Sequence, residues 1–391
     1  MTAEPRRVAV LGATGSIGES ALEVIRRHPD RFRVAALSAH RQAERLDRLA
    51  LEFSPDFVVL TDTPDRGFRP EWRGEWRSGD SALMDAVADD GVDIVLNALV
   101  GIAGLGATLG ALEAGKRLAL ANKESLVAGG ELVLEANRRG GGELIPVDSE
   151  HSAIHQCLGG SDASDVARLI LTASGGPFRE RSPEDFDAIR PEDALAHPTW
   201  DMGAKITIDS ATLANKALEV IEAHHLFGVP FDRIEVVVHP TSIVHSMVEL
   251  RDGSVLAQLG FPTMEIPIAH ALTWPECVAE HRVGFDPVRA SPLVFEPLRH
   301  EAFPMFGIGV EAGRQGGELP VAYNAANEVA VAAFLDGKLR FSDLPRVVEA
   351  VLGVFSATPL PDVESVWRID RAAREAASRV AASRNSLGAA G

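Results

Sequence analysis

Two carboxylates flank a serine at Asp148, Ser149 and Glu150, directly after a short apolar run that ends at Pro146–Val147. In an extended segment, residues i and i+2 point to the same side, so both carboxylates could reach one ion. Two oxygen ligands suit Mg²⁺ or Mn²⁺, which keep coordination positions open for water or substrate oxygens. A pair of solvated surface acids explains the pattern equally well, and both interpretations stay open from the residues alone.

A second group of chemically useful side chains lies in residues 209–228, whose apolar spacing predicts one helix. Asn215, Lys216 and Glu219 fall on one face of that helix. Ser210, Asn215 and Lys216 would occupy its first turns, where the helix dipole favours an anion. Spacing alone does not distinguish this arrangement from a solvated helix face, and it does not bring Glu219 to Asp148.

Two loops could complete a site for an anionic substrate. In ASGGPF, Ser174 precedes two glycines, which is typical of an anion-binding turn. Residues 197–205, HPTWDMGAK, place His197, Trp200 and Met202 in a polar loop that contains a glycine. Large apolar side chains in such a loop indicate a lid. The alternatives are a plain turn and a loop folded onto its own tryptophan.

A glycine-rich loop follows the first strand-like run. Gly12, Gly15 and Gly18 come directly after VAVL and open a segment with helical spacing. Glycines at such a junction permit a tight turn and let backbone N–H groups approach a pyrophosphate at a helix N-terminus. The spacing is GxxGxxG rather than GxGxxG, so a helix-packing turn is the alternative. The position within a βαβ unit favours a dinucleotide site.

The end of the second strand-like run bears on which dinucleotide binds. An NAD site usually carries an acid there for the ribose 2′-hydroxyl. This chain has Ser38, His40 and Arg41 and no acid, which would suit a 2′-phosphate. We therefore favour NADP, with the alternative that Arg41 simply begins a solvated helix.

The elements around these residues indicate an α/β fold. The first 150 residues alternate apolar runs with segments of helical spacing, which predicts parallel βαβ units. Later strand-like runs (ARLILTAS, KITIDS, RIEVVVHP, SIVHSMVELRDG and SVLAQLG) lie closer together and predict a mixed sheet. We therefore predict a Rossmann-like NADPH-binding domain at 1–148, a central α+β catalytic domain at 149–275, a linker at 276–303 and a C-terminal helical domain at 304–391.

Composition excludes several classes of function. The net charge of −18 argues against nucleic-acid binding and against adhesion to anionic membranes. Cys157 and Cys277 are the only cysteines, which excludes a disulfide framework and suits a reducing compartment. The uncharged stretch 94–112 is long enough to span a membrane, but Asn97 and several glycines favour a strand, a turn and a helix. With no secretory signal, we expect a cytoplasmic protein without a membrane partner.

Seven sequence blocks, in order along almost the whole chain, resemble the 1-deoxy-D-xylulose 5-phosphate reductoisomerase family. They are GATGSIG, ANKESLV, PVDSEHSAI, SGGPFR, HPTWDMGAKITIDSATLANKALEVIEA, HPTSIVHSMVE and NAANEVAVAAF. The resemblance implies conversion of 1-deoxy-D-xylulose 5-phosphate to 2-C-methyl-D-erythritol 4-phosphate in the non-mevalonate isoprenoid pathway. It also implies NADPH, a divalent metal (Mg²⁺, Mn²⁺ or Co²⁺) and a homodimer.

The resemblance assigns roles by matched position. The implied metal ligands are Asp148, Glu150 and Glu219. The implied substrate-binding residues are Lys123, Ser149, Glu150, Ser174, His197, Trp200, Met202, Ser210, Asn215, Lys216 and Glu219. Of these, Lys123 and His197 are also assigned catalytic roles, together with the three acids. The implied cofactor-binding residues are Thr14, Gly15, Ser16, Ile17, Asn122, Glu124 and Gly203, together with Ala39, His40 and Arg41.

This chain departs from the family at one place. Many members carry Gly-Lys-Asn after the second strand, where this chain has Ala39, His40 and Arg41. We expect Arg41 to contact the 2′-phosphate, because a guanidinium fork matches phosphate geometry.

Two other functions are compatible with a dinucleotide-binding loop. They are an NADP-dependent semialdehyde or hydroxyacid dehydrogenase and a catalytically inactive NADP-binding sensor. Neither would need the three acids, and a dehydrogenase of this kind would keep its activity in a chelator. A phosphorylating semialdehyde dehydrogenase would also need a cysteine nucleophile, whereas Cys157 lies in a helix-like run typical of buried core.

Overall fold

The structure is a computed structural model, and it describes residues 4–62, 64, 67–159, 163–200, 202–279 and 284–388. The described backbone divides into two compact units. The first unit is drawn from Met1–Ser125, Glu131–His155 and Thr263–Val283. The second is drawn from Leu126–Gly130, Gln156–Pro262 and Gly284–Gly391.

Strands and helices alternate over the first 158 residues, and the prediction placed this alternation in the first 150. The strands there are β1 (Arg6–Leu11), β2 (Phe32–Ala39), β3 (Phe57–Leu60), β4 (Glu75–Ser78), β5 (Ile94–Asn97), β6 (Arg117–Leu120) and β7 (Glu143–Pro146). The helices there are α1 (Ser16–Arg27), α2 (Ala43–Phe53), α3 (Gly79–Ala88), α4 (Gly104–Glu113), α5 (Lys123–Gly140) and α6 (Ser149–Leu158).

The rest of the chain combines strands and helices and then becomes helical. Its strands are β8 (Val166–Ala173), β9 (Ile234–Val238), β10 (Val244–Leu250), β11 (Val255–Leu259) and β12 (Glu296–Pro297). Its helices are α7 (Pro191–Leu195), α8 (Ala204–Thr212), α9 (Ala214–Phe227), α10 (Glu265–Thr273), α11 (Pro287–Ala290), α12 (Pro304–Gln315), α13 (Glu318–Leu335), α14 (Asp343–Leu352) and α15 (Val363–Gly388).

The first unit is built on a seven-stranded sheet with the order β4-β3-β2-β1-β5-β6-β7. Every neighbouring pair is parallel. Strands buried on both faces read as continuous apolar runs, and β3 and β5 are buried along their whole lengths. The chain runs outward from β1 in both directions, so the strand order switches between β1 and β5. Sheets of this kind bind ligands at the carboxyl ends of the strands beside such a switch.

The second unit holds a mixed five-stranded sheet with the order β11-β10-β8-β9-β12. β8 and β9 are parallel, whereas β10–β8, β10–β11 and β12–β9 are antiparallel. Apolar side chains from α12 to α15 form the C-terminal helical part, with Tyr323 and Phe334 almost fully buried. The predicted α/β class, the Rossmann-like first sheet, the mixed second sheet and the C-terminal helices are therefore confirmed.

The uncharged stretch 94–112 forms β5, a turn and most of α4, as predicted. Among the described residues, we find no helix that combines the length and apolarity needed to cross a membrane.

Two predictions about elements of the second unit are wrong. The run KITIDS lies in α8 rather than in a strand. The single helix predicted for 209–228 is two helices, because Leu213 adopts a left-handed backbone (φ +62°) between α8 and α9. As a result Ser210 lies in the last turn of α8, whereas Asn215 and Lys216 open α9.

The predicted linker, 276–303, includes α11 and β12 among its described residues, and β12 pairs with β9. The proposed domain boundaries stay a prediction.

Candidate active site

The glycine-rich loop joins β1 to α1 in the first unit. Gly12 has a φ of +79°, a conformation that residues with a Cβ rarely adopt. The Gly12 N–H donates to Ser38 Oγ at 3.1 Å, which ties the loop to β2. A Cβ on Gly18 would lie 2.4 Å from the Gly12 carbonyl oxygen, so α1 and the loop approach too closely for a side chain there. The predicted cofactor residues Thr14, Gly15, Ser16 and Ile17 all lie in this loop and the start of α1.

The residues after β2 form a second group at the same end of the sheet. Ala39 is buried at the end of β2, whereas His40 and Arg41 are exposed. Arg41 Nε donates to Asp62 Oδ2 at 2.7 Å, just beyond the neighbouring strand β3. His40 Nδ1 lies 2.9 Å from Thr61 Oγ1. Neighbouring strand ends therefore hold both exposed side chains beside the loop.

Asn122 organises the start of α5. Its Oδ1 accepts a hydrogen bond from the Ser125 N–H at 3.1 Å, which satisfies a free donor at the helix N-terminus. Its Nδ2 donates to the carbonyls of Leu99 (2.9 Å) and Gly101 (2.8 Å) and to Glu124 Oε2 (3.0 Å). Asn122 and Glu124, both predicted cofactor residues, thus fix the loop that follows β5.

Asp148 and Glu150 lie at the start of α6, after β7. Lys123 Nζ lies 2.7 Å from Asp148 Oδ2, and the two side chains are only 7% and 12% exposed. Asp148 Oδ1 accepts a hydrogen bond from the Glu150 N–H (3.3 Å) and lies 3.1 Å from His151 Nδ1. Ser149 Oγ donates to Glu150 Oε2 at 2.5 Å. The extended backbone assumed for this segment is wrong, because Glu150 lies in the first turn of a helix.

In the second unit, His197 joins two serines from different elements. Its Nε2 lies 3.1 Å from Ser174 Oγ, after β8, and 3.1 Å from Ser210 Oγ, in α8. Its Nδ1 accepts from the backbone N–H groups of Trp200 (2.9 Å) and Thr199 (3.2 Å). Burial lowers the pKa of His197. We infer a neutral ring with its proton on Nε2, which makes this nitrogen a donor toward the space between the serines.

The two glycines after Ser174 allow the turn to approach α8 closely. Gly175 and Gly176 have φ values of +82° and +69°. The Gly176 N–H donates to Ser174 Oγ at 3.3 Å. A Cβ on Gly176 would lie 2.8 Å from the Ser210 carbonyl oxygen. The sequence ASGGPF thus provides the predicted tight turn, and it packs against the end of α8.

Glu219 is buried on α9, with 1% of the residue exposed. Asn215 Nδ2 donates to Glu219 Oε1, and Lys216 Nζ donates to Glu219 Oε2. Lys216 is itself only 4% exposed. The predicted shared helix face therefore exists, and it is a buried polar cluster rather than a solvated surface.

The predicted lid connects α7 to α8. The ring of Trp200 lies 6.3 Å from that of His245, and Thr199 Oγ1 donates to the Pro240 carbonyl at 3.3 Å. Met202 is half-buried, and Gly203 is exposed immediately before α8. Asp201, within the predicted lid, lies outside the described residues. The movement of this loop stays a prediction.

Within the first unit, the structure brings Lys123 into contact with Asp148. Within the second unit, His197 contacts both Ser174 and Ser210. In the same unit, Asn215 and Lys216 both donate hydrogen bonds to Glu219. His151 and Asp62 are neighbours of the candidate residues that were not predicted. His151 follows Asp148 by three residues, so a predicted helix beginning at Ser149 would have placed the two side chains next to each other. Asp62 follows β3, and the adjacency of β2 and β3 would have pointed to it.

Family models cover most of the chain. The model described as 1-deoxy-D-xylulose 5-phosphate reductoisomerase matches residues 8–130. Two models for C-terminal domains of the same enzyme match residues 144–227 and 259–376.

Curated relatives and solved structures agree with these models. A 1-deoxy-D-xylulose 5-phosphate reductoisomerase of Cupriavidus metallidurans is 50% identical over 95% of this chain and 97% of its own length. One of Laribacter hongkongensis is 48% identical over 94% and 97%. The Zymomonas mobilis enzyme in complex with NADPH aligns with a TM-score of 0.89 and 43% identity, covering 96% of this chain and 99% of that one. A DOX-P reductoisomerase with NADPH, fosmidomycin and magnesium aligns with a TM-score of 0.90 and 39% identity, covering 96% and 98%.

Proposed function

Because this chain belongs to the 1-deoxy-D-xylulose 5-phosphate reductoisomerase family, we infer that it converts 1-deoxy-D-xylulose 5-phosphate to 2-C-methyl-D-erythritol 4-phosphate. The observation that carries this inference is 50% identity to a curated relative over 95% of the chain. NADPH and a divalent metal are the cofactors that we assign to it, and the reaction belongs to non-mevalonate isoprenoid biosynthesis.

We propose that Asp148, Glu150 and Glu219 hold the metal. Carboxylates are the oxygen ligands that Mg²⁺ prefers, and Glu219 is a buried carboxylate of the kind a cation stabilises. Lys123 and Lys216 already balance part of the negative charge within each unit. A divalent metal in such a site polarises a substrate carbonyl and stabilises negative charge on oxygen.

The phosphate of the substrate would bind to donors of the second unit. Ser174, His197 and Ser210 supply two hydroxyls and an imidazole N–H, and Asn215 and Lys216 supply an amide and an ammonium group at the start of α9. A helix N-terminus and a cation both favour a dianion. Binding energy from this remote group can be used to close the lid, with Trp200 and Met202 excluding water from the reactive carbon.

NADPH would bind to the glycine-rich loop of the first unit and supply the hydride. A Cβ on Gly12 would meet the Ala98 carbonyl oxygen at 2.7 Å, and a Cβ on Gly18 would meet the Gly12 carbonyl oxygen at 2.4 Å, so only glycines allow this close packing of the loop. The N–H groups at the start of α1 would then bind the pyrophosphate. Asn122, Glu124 and Gly203 are assigned to the same cofactor by matched position. Arg41, fixed at Nε by Asp62, is our proposed contact to the 2′-phosphate.

Arg41→Ala should raise the KM for NADPH by about tenfold to a hundredfold, the range expected for a lost hydrogen bond to a charged group. The KM for NADH should change little, because NADH has no 2′-phosphate. Steady-state kinetics with each cofactor would measure both values.

Arg48→Ala is a matched control, because it removes an exposed arginine from the adjoining helix α2. Equal effects of Arg41→Ala on NADPH and NADH would refute a 2′-phosphate role.

The experiment that tests the function follows the loss of NADPH absorbance with purified protein, 1-deoxy-D-xylulose 5-phosphate and Mg²⁺. We expect NADPH oxidation that EDTA stops and that added Mn²⁺ restores. Full activity in EDTA would instead indicate a metal-independent dehydrogenase. NADPH binding without oxidation under any metal would favour a sensor and overturn the proposed function.

We also propose that the chain forms a homodimer, on the strength of the family resemblance. Light scattering should then give a particle of twice the mass of one chain. A monomeric mass at catalytic concentration would contradict this.

We propose a cytoplasmic location, which suits the two cysteines and an NADPH-dependent reaction on a sugar phosphate. Recovery of the activity in a periplasmic or membrane fraction would contradict it.

A further inference from the structure

A buried ionic cluster lies immediately beside the proposed phosphate site. Asp209, in α8, is 1% exposed. Its Oδ1 accepts a hydrogen bond from Asn327 Nδ2 at 2.7 Å, and its Oδ2 lies 2.9 Å from Lys205 Nζ. Neither Asp209 nor Asn327 entered the sequence-based site, and they are 118 residues apart in the chain.

The hydrogen-bonding groups of Asp209 and Asn327 allow only one orientation of the Asn327 amide. A carboxylate only accepts hydrogen bonds, so the amide of Asn327 must present its NH₂ group to Asp209. Asn327 is also 1% exposed, and it lies on α13. A buried carboxylate that loses a partner carries a large desolvation penalty, so small displacements of α8 relative to α13 are costly.

Asp209, which accepts the hydrogen bond from Asn327, directly precedes Ser210, a predicted phosphate ligand. Ser210 Oγ lies 3.1 Å from His197 Nε2. The Ser210 carbonyl is also close to Gly176, where a Cβ would meet it at 2.8 Å. The end of α8 is therefore confined on one side by the turn after Ser174 and held by Asn327 through Asp209. Displacements of about 1 Å in such a cluster can weaken its function a hundredfold.

We propose that Asn327 is a positioning residue for phosphate binding, because it holds Asp209 and thereby places the Ser210 hydroxyl opposite Ser174 and His197. The inference rests on the proposed function for its substrate, and it extends the site to a helix of the C-terminal part. Asn327 touches neither the substrate nor the cofactor in this role.

Asn327→Ala is the main test, and Asn324→Ala is its matched control. Asn324 is an equally buried amide one turn earlier on α13, and its Nδ2 donates to Glu328 instead of α8. We expect Asn327→Ala to raise the KM for 1-deoxy-D-xylulose 5-phosphate by about tenfold or more, with kcat and the KM for NADPH nearly unchanged. Asn324→Ala should leave all three constants near wild type. An unchanged substrate KM in folded Asn327→Ala, or an equal rise in both variants, would overturn the proposal.

A reciprocal exchange keeps the proposal testable if Asn327→Ala does not fold. Asn327→Asp places two carboxylates together and should raise the substrate KM strongly. Adding Asp209→Asn restores one donor and one acceptor and should recover most of the loss. Failure of the second substitution to recover substrate binding would count against a positioning role.

Titration with inorganic phosphate separates this inference from the proposed function. Calorimetry should show weak phosphate binding to the wild type, about tenfold weaker binding to Asn327→Ala and unchanged binding to Asn324→Ala. Absence of turnover with this pattern of phosphate binding would refute the proposed function and leave the positioning role standing. Absence of phosphate binding to the wild type would refute the positioning role.

Discussion

Glu219→Gln should lower kcat by about a thousandfold or more, equivalent to about 4 kcal/mol of lost transition-state stabilisation. The substitution preserves the shape of the side chain but replaces the charge of a proposed metal ligand with a neutral amide. NADPH binding should persist, because the proposed dinucleotide loop belongs to the first unit and Glu219 to the second. Stopped-flow measurement of NADPH oxidation, with fluorescence titration of NADPH, would test both parts.

Glu219→Gln would also remove the carboxylate partner of the buried Lys216 ammonium group, so the substitution should destabilise the fold as well. Removing one member of a buried ion pair costs about 3–5 kcal/mol of folding free energy. Glu219→Asp keeps the charge and separates lost charge from lost geometry, while Glu311→Gln repeats the chemical change at an exposed position of α12. Near-normal turnover in Glu219→Gln would remove this residue from the metal site.

The sequence predicted the first sheet well because its central strands are buried on both faces. Continuous apolar runs such as those of β3 and β5 have few competing interpretations. The edge strand β4 was missed, since its sequence EWRS is polar and partly exposed and shows no apolar run. Edge strands often carry charged residues that limit aggregation. Because such strands lack an apolar run, a search for hydrophobic periodicity does not detect them.

The errors in the second unit have local physical causes. In KITIDS, Ile206 and Ile208 alternate with polar residues, which mimics a half-buried strand. Lys205 and Asp209 are four residues apart, as in a helical ion pair, and they do pair in α8. The break at Leu213 has no comparable signal, because a left-handed leucine is rare and nothing in its sequence announces it.

Hydrophobic periodicity could not predict the contacts that organise the candidate site. Lys123 and Asp148 are 25 residues apart, and Asp209 and Asn327 are 118 apart, so only the fold brings them together. Residue types could suggest a cation site and an anion site. Pattern could not show that Glu219 is buried between Asn215 and Lys216, because the same spacing fits a solvated helix face.

Gly18→Ala should weaken NADPH binding by about a hundredfold or more, a loss of about 2.7 kcal/mol. The added Cβ would lie 2.4 Å from the Gly12 carbonyl oxygen and 2.7 Å from Ala13 Cα. Both contacts are to backbone atoms, so the overlap cannot be relieved by moving a flexible side chain. The loop would have to move away from α1, and this would displace the N–H groups proposed to bind the pyrophosphate at the helix start.

Gly106→Ala is the matched control, because it makes the same change within α4 of the same unit. There the added Cβ would approach only Met84 Sδ, at 3.4 Å, the movable end of a flexible side chain. Alanine is also the better helix former by about 1 kcal/mol, so this variant should bind NADPH normally. Calorimetric titration with NADPH would measure the affinity of both variants. Normal NADPH binding by Gly18→Ala would contradict the assignment of this loop as the pyrophosphate site.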